Sequence, residues 1–360
     1  IIMKVMKGDY VTAVTQSTFA AFIGMLASIL VLLYFLKKQQ AYSAARVQYS
    51  HNQVNVATKE LLLDTIKEAI PFIIVGSGVT IFKLVDQFTF IKIMSATTEY
   101  SKDQLLDLFS IFSANPDKLT MVVIALATSI ASTGLPLITE AVTIKDHRGL
   151  AKLTSGNLQL FSFFMFPATF GVILLAYPLN TLFYAPDKLG SHVLIQASFV
   201  GLFLGLYMLV SNMLQGMFEN AAAIRYLAIG FVVKVILQYP AIRLFEVYGP
   251  LFATMIGFAI SCTLILKKMR QVARFKPSFV WRRTLLIFIL TLIMLVAAGI
   301  TKSVFGLFLN QDSKIQSLFL ILFVAGVGGT VYAYLALKIR LAERLLGPSM
   351  VRLRHRLRIK

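Results

Sequence analysis

The stretch LLLDTIKEAIPFIIVGSGVTIFKLVDQFTFIKIM, residues 61–94, decides the fold. As a helix rising 1.5 Å per residue, it is long and apolar enough to cross a hydrocarbon core of roughly 30 Å. Lys83 and Asp86 nevertheless lie in its second half, three residues apart, which places both side chains on one helical face where they can pair. Charged side chains within a span cost roughly 2.5–3.5 kcal/mol each and usually face a bundle interior or a watery cavity. The stretch therefore predicts a membrane helix that lines a polar cavity.

The same stretch contains residues that weaken a helix. Pro71 is followed by Gly76, Ser77 and Gly78. Broken helices with such residues are typical of the regions around transporter substrate sites. We therefore expect an interruption in this span, with the rest of the chain forming a bundle around the cavity.

Composition places the whole chain in the membrane. Of its 360 residues 58% are hydrophobic and 14% are charged, and the mean hydropathy is +0.77, whereas soluble domains carry about 25% charged residues. The net charge of +19 does not indicate nucleic-acid binding, because the basic residues cluster in one set of loops. A single cysteine, Cys262, excludes a disulfide framework. No two of the four histidines have metal-ligand spacing, so no metal is expected.

The hydrophobic runs predict an all-α, polytopic transmembrane bundle of about nine spans. A short amphipathic helix is also expected at 104–112, after the second span. The predicted spans are 11–36, 61–94, 119–143, 156–183, 192–218, 221–245, 251–266, 284–309 and 315–337.

Basic residues predict the orientation of these spans. One set of loops, together with the C-terminal tail, contains 23 Lys and Arg residues, against 9 on the opposite side. The positive-inside rule then places the C-terminus in the cytoplasm and the N-terminus outside. Because the chain begins Ile1-Ile2 and shows no signal peptide, we expect it to be truncated at its N-terminus, with an odd number of helices removed.

Several stretches show a family resemblance that extends over nearly the whole chain. The chain resembles the lipid II flippase and polysaccharide flippase branch of the multidrug/oligosaccharidyl-lipid/polysaccharide exporter superfamily. The resemblance lies in a distributed hydrophobic pattern rather than in a sharp motif. The stretches that carry it are 68–90, the Leu135-Pro136 pair before a basic turn, Pro167 within the next span, Gln215-Gly216 in NMLQGMFEN, Lys234, and YGPLFATMIG at 248–257.

The resemblance implies a MATE-like arrangement of fourteen helices, with two lobes of six and two extra C-terminal helices. About five N-terminal helices would then be missing here. The implied divisions are 1–60 as the last helix of the first lobe plus a cytoplasmic linker, 61–267 as the second lobe, 268–283 as a basic cytoplasmic loop, 284–337 as the extra helix pair, and 338–360 as a basic cytoplasmic tail.

The resemblance also implies a function, the flipping of a polyprenyl-diphosphate-linked oligosaccharide from the cytoplasmic to the outer leaflet by alternating access. Phosphates need cations, and Lys83 and Lys234 lie deep within predicted spans. Asp86 is expected to hold Lys83 or to take a coupling cation or proton. Neutral hydrogen-bonding groups suited to sugars are offered by Gln159, Asn212 and Gln215. Bends for alternating access are expected at Pro71, Pro136 and Pro167.

Simpler interpretations of these residues remain open. Lys83 and Asp86 can form a structural ion pair near the outer interface, and Lys234 can extend its charge to the membrane surface instead of binding substrate. Asn212 and Gln215 can hold helices together by hydrogen bonds.

Three functions compete. The first is a flippase, for the peptidoglycan precursor lipid II or for a teichoic-acid, capsular or O-antigen-type unit. The second is a cation-coupled multidrug or small-molecule antiporter of the same superfamily. The third is a membrane transferase, which we do not expect because no Asp-x-Asp pair occurs. The flippase hypothesis predicts a multi-pass protein of the bacterial cytoplasmic membrane with no catalytic residues and no cofactor, and leaves a coupling cation or the membrane potential open as driving force. Its expected partners are the lipid-linked substrate, anionic membrane lipids and cell-wall synthesis enzymes, with no nucleic acid.

Overall fold

A computed structural model describes residues 10–48 and 58–357, and this part of the chain contains helices and connecting turns without a strand. The helices are α1 (Tyr10–Gln48), α2 (Thr58–Thr97), α3 (Lys102–Phe109), α4 (Asn115–Thr143), α5 (His147–Leu174), α6 (Ala176–Phe183), α7 (Lys188–Gly216), α8 (Asn220–Phe245), α9 (Gly249–Ala273), α10 (Pro277–Gly306), α11 (Lys314–Lys338), α12 (Leu341–Leu346) and α13 (Pro348–Arg356). A π-helical turn at Ser110–Ala114 precedes α4, and a 3-10 turn at Glu246–Tyr248 joins α8 to α9.

The chain divides into two compact units, residues 1–66 and 67–360. The first unit contains the long helix α1, which covers the first predicted span. Large apolar side chains along α1, such as Phe22, Leu30 and Phe35, are exposed, as a lipid-facing helix requires.

Seven helical stretches of the described residues are long and apolar enough to cross a membrane. One of them, Asn220–Ala273, contains both α8 and α9. The seven stretches therefore account for eight of the nine predicted spans, and the remaining one lies in α1. The predicted class, a polytopic helical membrane protein, is confirmed.

Helix α7 lies at the centre of the second unit. It packs against α4, α5, α8 and α9, and most of its side chains are apolar or small, without a continuous polar face, as expected of a buried helix. Gly205 lets α4 and α5 approach, because a Cβ there would lie 3.1 Å from the Ala127 side chain and 3.0 Å from Met165. In lipid no hydrophobic driving force brings helices together, so the close packing that small residues of this kind allow stabilises the bundle instead.

The C-terminal helices α10 and α11 pack on each other and on α5 and α6. Two hydrogen bonds tie them to α5. Tyr332 Oη donates to the Phe163 carbonyl at 2.8 Å, and Lys302 Nζ donates to the Leu174 carbonyl at 2.7 Å, where α5 ends. The basic tail, for which no structure was predicted, forms the short helices α12 and α13.

The predicted interruption of the 61–94 helix is wrong. Helix α2 continues through Pro71 and the glycines to Thr97. Gly78 serves close packing instead of a break, since a Cβ there would lie 2.9 Å from the Leu227 side chain and 3.2 Å from Tyr207 Oη. Pro71 removes one backbone N–H donor from the interior of α2. Packing of α2 against neighbouring helices can compensate for that loss.

The predicted 156–183 span has different bounds. Helix α5 begins at His147, because Asp146 caps it by accepting a hydrogen bond from the Gly149 amide at 2.9 Å. It ends at Leu174, and α6 restarts with Pro178 in its first turn, where a missing backbone N–H costs little. The predicted amphipathic helix at 104–112 corresponds to α3. A capping box between Ser101 and Gln104 stabilises the start of this helix.

Candidate functional site

A buried charged cluster joins α2, α8 and α9. Lys234 Nζ donates to Asp86 Oδ2 at 2.8 Å and to Thr254 Oγ1 at 2.5 Å. Lys234 is fully buried and Asp86 is 8% exposed. Because isolated charges are costly in a protein interior, each of these two side chains requires the other.

Gln238 completes this cluster. Its Nε2 donates to Asp86 Oδ1 at 2.9 Å and to Thr89 Oγ1 at 3.0 Å, so both oxygens of Asp86 have donors. Gln238 was not among the predicted site residues. The available signal was its position four residues after Lys234, which places both side chains on one face of α8.

The expected pair of Lys83 with Asp86 is not formed. Lys83 Nζ instead pairs with Asp117 Oδ2 of α4 at 2.5 Å, with the two side chains 41% and 40% exposed. Lys83 and Asp86 still face one side of α2, because both line a small cavity of about 50 Å³ together with Asp117 and Thr254. The spacing predicted their shared face correctly, whereas their partners come from other helices. Asp117 was expected in the polar segment before the third span, but it lies in the first turn of α4.

A second cavity, of about 1130 Å³, lies among α4, α5, α10, α12 and the connection from α9 to α10. We call it the basic pocket. None of the residues that line it is acidic, and six are cationic, namely Arg148, Lys152, Arg274, Lys276, Arg283 and Arg344.

Gln159 lines the basic pocket, where it orients one of these cations. The Gln159 side chain is 1% exposed, and its Oε1 accepts a hydrogen bond from Arg283 Nη1 at 2.8 Å. The Arg283 guanidinium also lies over the Phe279 ring, 4.1 Å from its centre. A guanidinium held by a hydrogen bond and a ring is preorganised for a planar anion such as a phosphate face.

A third cavity, of about 630 Å³, is almost entirely apolar, and we call it the apolar groove. Helices α5, α6, α10, α11 and the start of the tail form its walls. Pro167 lines it, as do Leu175, Val324 and Ala336. The Tyr332 hydroxyl is satisfied by the Phe163 carbonyl, so it offers the groove no free donor.

The remaining predicted residues are dispersed. Asn212 and Gln215 lie on α7, where Gln215 is buried, and neither is among the lining residues of the three cavities described above. Within the described residues the Gln215 Nε2 atom has no hydrogen-bond partner. Pro136 lies inside α4 and Pro71 inside α2. Among the residues that the structure describes, no group of His, Cys, Asp and Glu could hold a metal ion.

The fold and cavities define a class, a multi-pass helical membrane protein with a charged core cluster, a basic pocket and an apolar groove. No protein-family model matches the chain. Over 352 residues it is 29% identical to the lipid II flippase MurJ of Bacillus subtilis, an alignment that covers 96% of this chain and 64% of the relative. The chain is homologous to that protein, which confirms the predicted resemblance, and it spans about two thirds of that relative's length.

A solved structure supports the fold. The chain superimposes on a lipid II flippase MurJ in an inward closed conformation with a TM-score of 0.53 and 18% sequence identity. This superposition covers 74% of the chain and 52% of the solved structure.

Proposed function

We propose that the protein flips a polyprenyl-diphosphate-linked oligosaccharide, the peptidoglycan precursor lipid II, across the bacterial cytoplasmic membrane by alternating access. It acts as a transporter and not as an enzyme. The observation that carries the proposal is the homology to a lipid II flippase along 96% of the chain. The driving force is a coupling cation or the membrane potential, without a cofactor.

The two larger cavities support an amphiphilic substrate. A lipid-linked oligosaccharide has an apolar tail, a doubly charged diphosphate and a polar head. The apolar groove suits the tail, because its wall offers neither charges nor free donors. The basic pocket supplies cations, which form the strong, charge-assisted hydrogen bonds that phosphates accept. A small cationic drug would meet repulsion in that pocket.

The basic pocket belongs to the side of the bundle that the positive-inside rule places in the cytoplasm. Its cations come from the start of α5, the connection from α9 to α10, the start of α10 and the tail, all of which are basic in sequence. We propose that the C-terminus is cytoplasmic and that the substrate enters from this side. Anionic membrane lipids and cell-wall synthesis enzymes are the further partners of this proposal.

The predicted substrate contacts are retained as proposals. Gln159 acts through Arg283 in the basic pocket. Lys83 is part-exposed and can release Asp117 to meet an anion. Lys234 is enclosed in the described state, so it reaches a substrate only if α2 and α8 separate. Asn212 and Gln215 stay predicted sugar contacts.

Complementation tests the proposal. The gene that encodes this chain is expressed in Bacillus subtilis depleted of lipid II flippase activity, and lipid II on the outer leaflet is measured with a reagent that does not cross the membrane. Restored exposure supports the proposal. No restoration, with the protein present in the membrane at normal amounts, contradicts it. Restoration of a teichoic-acid or capsular polymer alone would shift the assignment to another lipid-linked unit.

A further inference from the structure

The basic tail folds back on the end of the last membrane span. Helix α11 ends at Lys338, whose Nζ lies 5.8 Å from the centre of the Tyr334 ring. Aromatic and basic side chains at the end of a span are typical of the membrane–water interface. The chain turns into α12 at Arg340, which has a φ of 58°, and into α13 at Gly347, which has a φ of 85°. Both short helices pack on α11, so they lie beside this interface.

One face of α13 is fixed against the protein. Arg354 Nε pairs with Glu343 Oε1 of α12 at 2.5 Å, and the two side chains are 11% and 13% exposed. Met350 lies four residues before Arg354, and therefore on the same helical face, and it lines the apolar groove. Because this face is docked, the direction of the opposite face is set as well.

The opposite face of α13 is cationic and exposed. At 3.6 residues per turn, Arg352 and Arg356 each lie about 160° around the helix from Arg354. Both side chains are exposed, as is His355 beside them. Among the described residues neither Arg352 nor Arg356 forms a salt bridge. Like charges one turn apart repel each other, and a negatively charged surface relieves that repulsion.

The sequence around α13 matches this charge pattern. Residues 338–356 contain six Lys and Arg residues and one acidic residue, Glu343, which Arg354 already neutralises. Clusters of basic residues just beyond the cytoplasmic end of a span, or on an amphipathic helix, bind anionic lipids. The positive-inside rule explains why such residues lie on this side, but it does not require a docked helix that presents two arginines on one face.

We propose that the exposed face of α13 binds the phosphate groups of anionic phospholipids in the cytoplasmic leaflet. Arg352 and Arg356 provide the cations, and the docked face holds the helix at the level of the headgroups. This inference deepens the proposed partnership with anionic lipids by assigning it a site. It rests on the proposed function only in the cytoplasmic position of the C-terminus.

Photocrosslinking of the whole purified protein tests the inference. The protein is placed in phosphatidylcholine nanodiscs that contain a photoreactive phosphatidylglycerol, and labelled peptides are identified by mass spectrometry. We expect the label within residues 348–356. The variant Arg352→Gln/Arg356→Gln should lower the labelling of this segment at least ~10-fold, because two favourable charge interactions with the lipid phosphate are lost. A wild-type protein without label on this segment would overturn the inference.

Two further variants separate the site from net charge and from misfolding. Lys267→Gln/Arg270→Gln removes the same charge from exposed positions of α9 and should change the labelling of 348–356 less than about 2-fold. Arg352→Lys/Arg356→Lys keeps both charges and should retain most of the labelling. A loss in either variant as large as in Arg352→Gln/Arg356→Gln would overturn the inference.

Competitors identify the partner. Unlabelled phosphatidylglycerol should suppress the labelling, and additional phosphatidylcholine should not. Glycerol phosphate that suppresses it as well as phosphatidylglycerol does would show a site for a free phosphate ester. Equal suppression by polyglutamate would show a site for an acidic protein segment. Either result would overturn the lipid assignment.

The failures of this inference and of the proposed function are distinguishable, because the labelling does not depend on what the protein transports. A chain that restores lipid II exposure but carries no label on 348–356 overturns the lipid site alone. A chain that is labelled there but restores no exposure overturns the proposed function alone.

Discussion

The charged core cluster permits a quantitative prediction. Replacing Lys234 by Met removes a fully buried ammonium that donates to Asp86 and Thr254, and it leaves Asp86 with Gln238 as its donor within the cluster. Removing one partner of a buried ion pair costs about 3–5 kcal/mol, because the remaining charge is uncompensated. We expect the Lys234→Met protein to lose stability by that amount.

A double variant isolates the cause. Asp86→Asn/Lys234→Met removes both charges, so it should recover much of the lost stability and give a coupling energy of about 2 kcal/mol or more. Lys83→Met is the matched control. It also removes a lysine from an ion pair, but the side chains of Lys83 and Asp117 are 41% and 40% exposed, so the expected loss is about 1 kcal/mol or less.

The assay is the unfolding free energy in mixed micelles, measured by titration with a denaturing detergent. A Lys234→Met protein as stable as Lys83→Met would refute the reasoning. So would a double variant no more stable than the single Lys234 variant, because the loss would then reflect volume and not charge.

Two further predictions concern packing and are measured by the same titration. Gly230→Ala should destabilise the protein by about 1–3 kcal/mol, because the new Cβ would overlap the Ser261 hydroxyl where α8 and α9 cross. The control Gly326→Ala, inside α11 and with no atom within 4 Å of its Cβ position, should leave the stability unchanged or raise it by up to about 1 kcal/mol, because alanine favours a helix more than glycine does. Equal stability of the two variants would contradict the crossing. Tyr332→Phe should cost about 1 kcal/mol, because it removes the hydrogen bond to the Phe163 carbonyl, and an unchanged stability would show that this bond contributes nothing.

The helices could be predicted from sequence because long apolar runs determine membrane spans almost by themselves. Eight of the predicted spans correspond to stretches that are long and apolar enough to cross a membrane. The first and last residues of a helix could be predicted less well where a capping side chain determines where the helix begins. Asp146 moves the start of α5 nine residues ahead of the apolar run that begins at Gly156, since a helix can begin in a polar segment when a side chain caps it.

The partners of charged residues could not be predicted. Periodicity along one helix fixes which face a side chain occupies, so Lys83 and Asp86 were placed on one face correctly. It contains no information about which helix packs on that face, and the pairs with Asp117 and Lys234 follow from that packing.

The basic pocket was missed for a related reason. In sequence, Arg283 belongs to a run of basic residues that the positive-inside rule explains fully. Its functional interpretation requires the contact with Gln159, 124 residues away, and the apolar groove beside it. Gln159 itself was predicted as a polar contact, and it is the predicted residue that lines the basic pocket.

The most direct test of the flippase account is made in the organism that encodes the chain. Its gene is depleted, and lipid II accessible on the outer leaflet is measured together with total lipid II. The account predicts that the accessible fraction falls while total lipid II rises or stays constant, and that re-expression of the gene restores it. An accessible fraction that is unchanged after depletion would contradict the account.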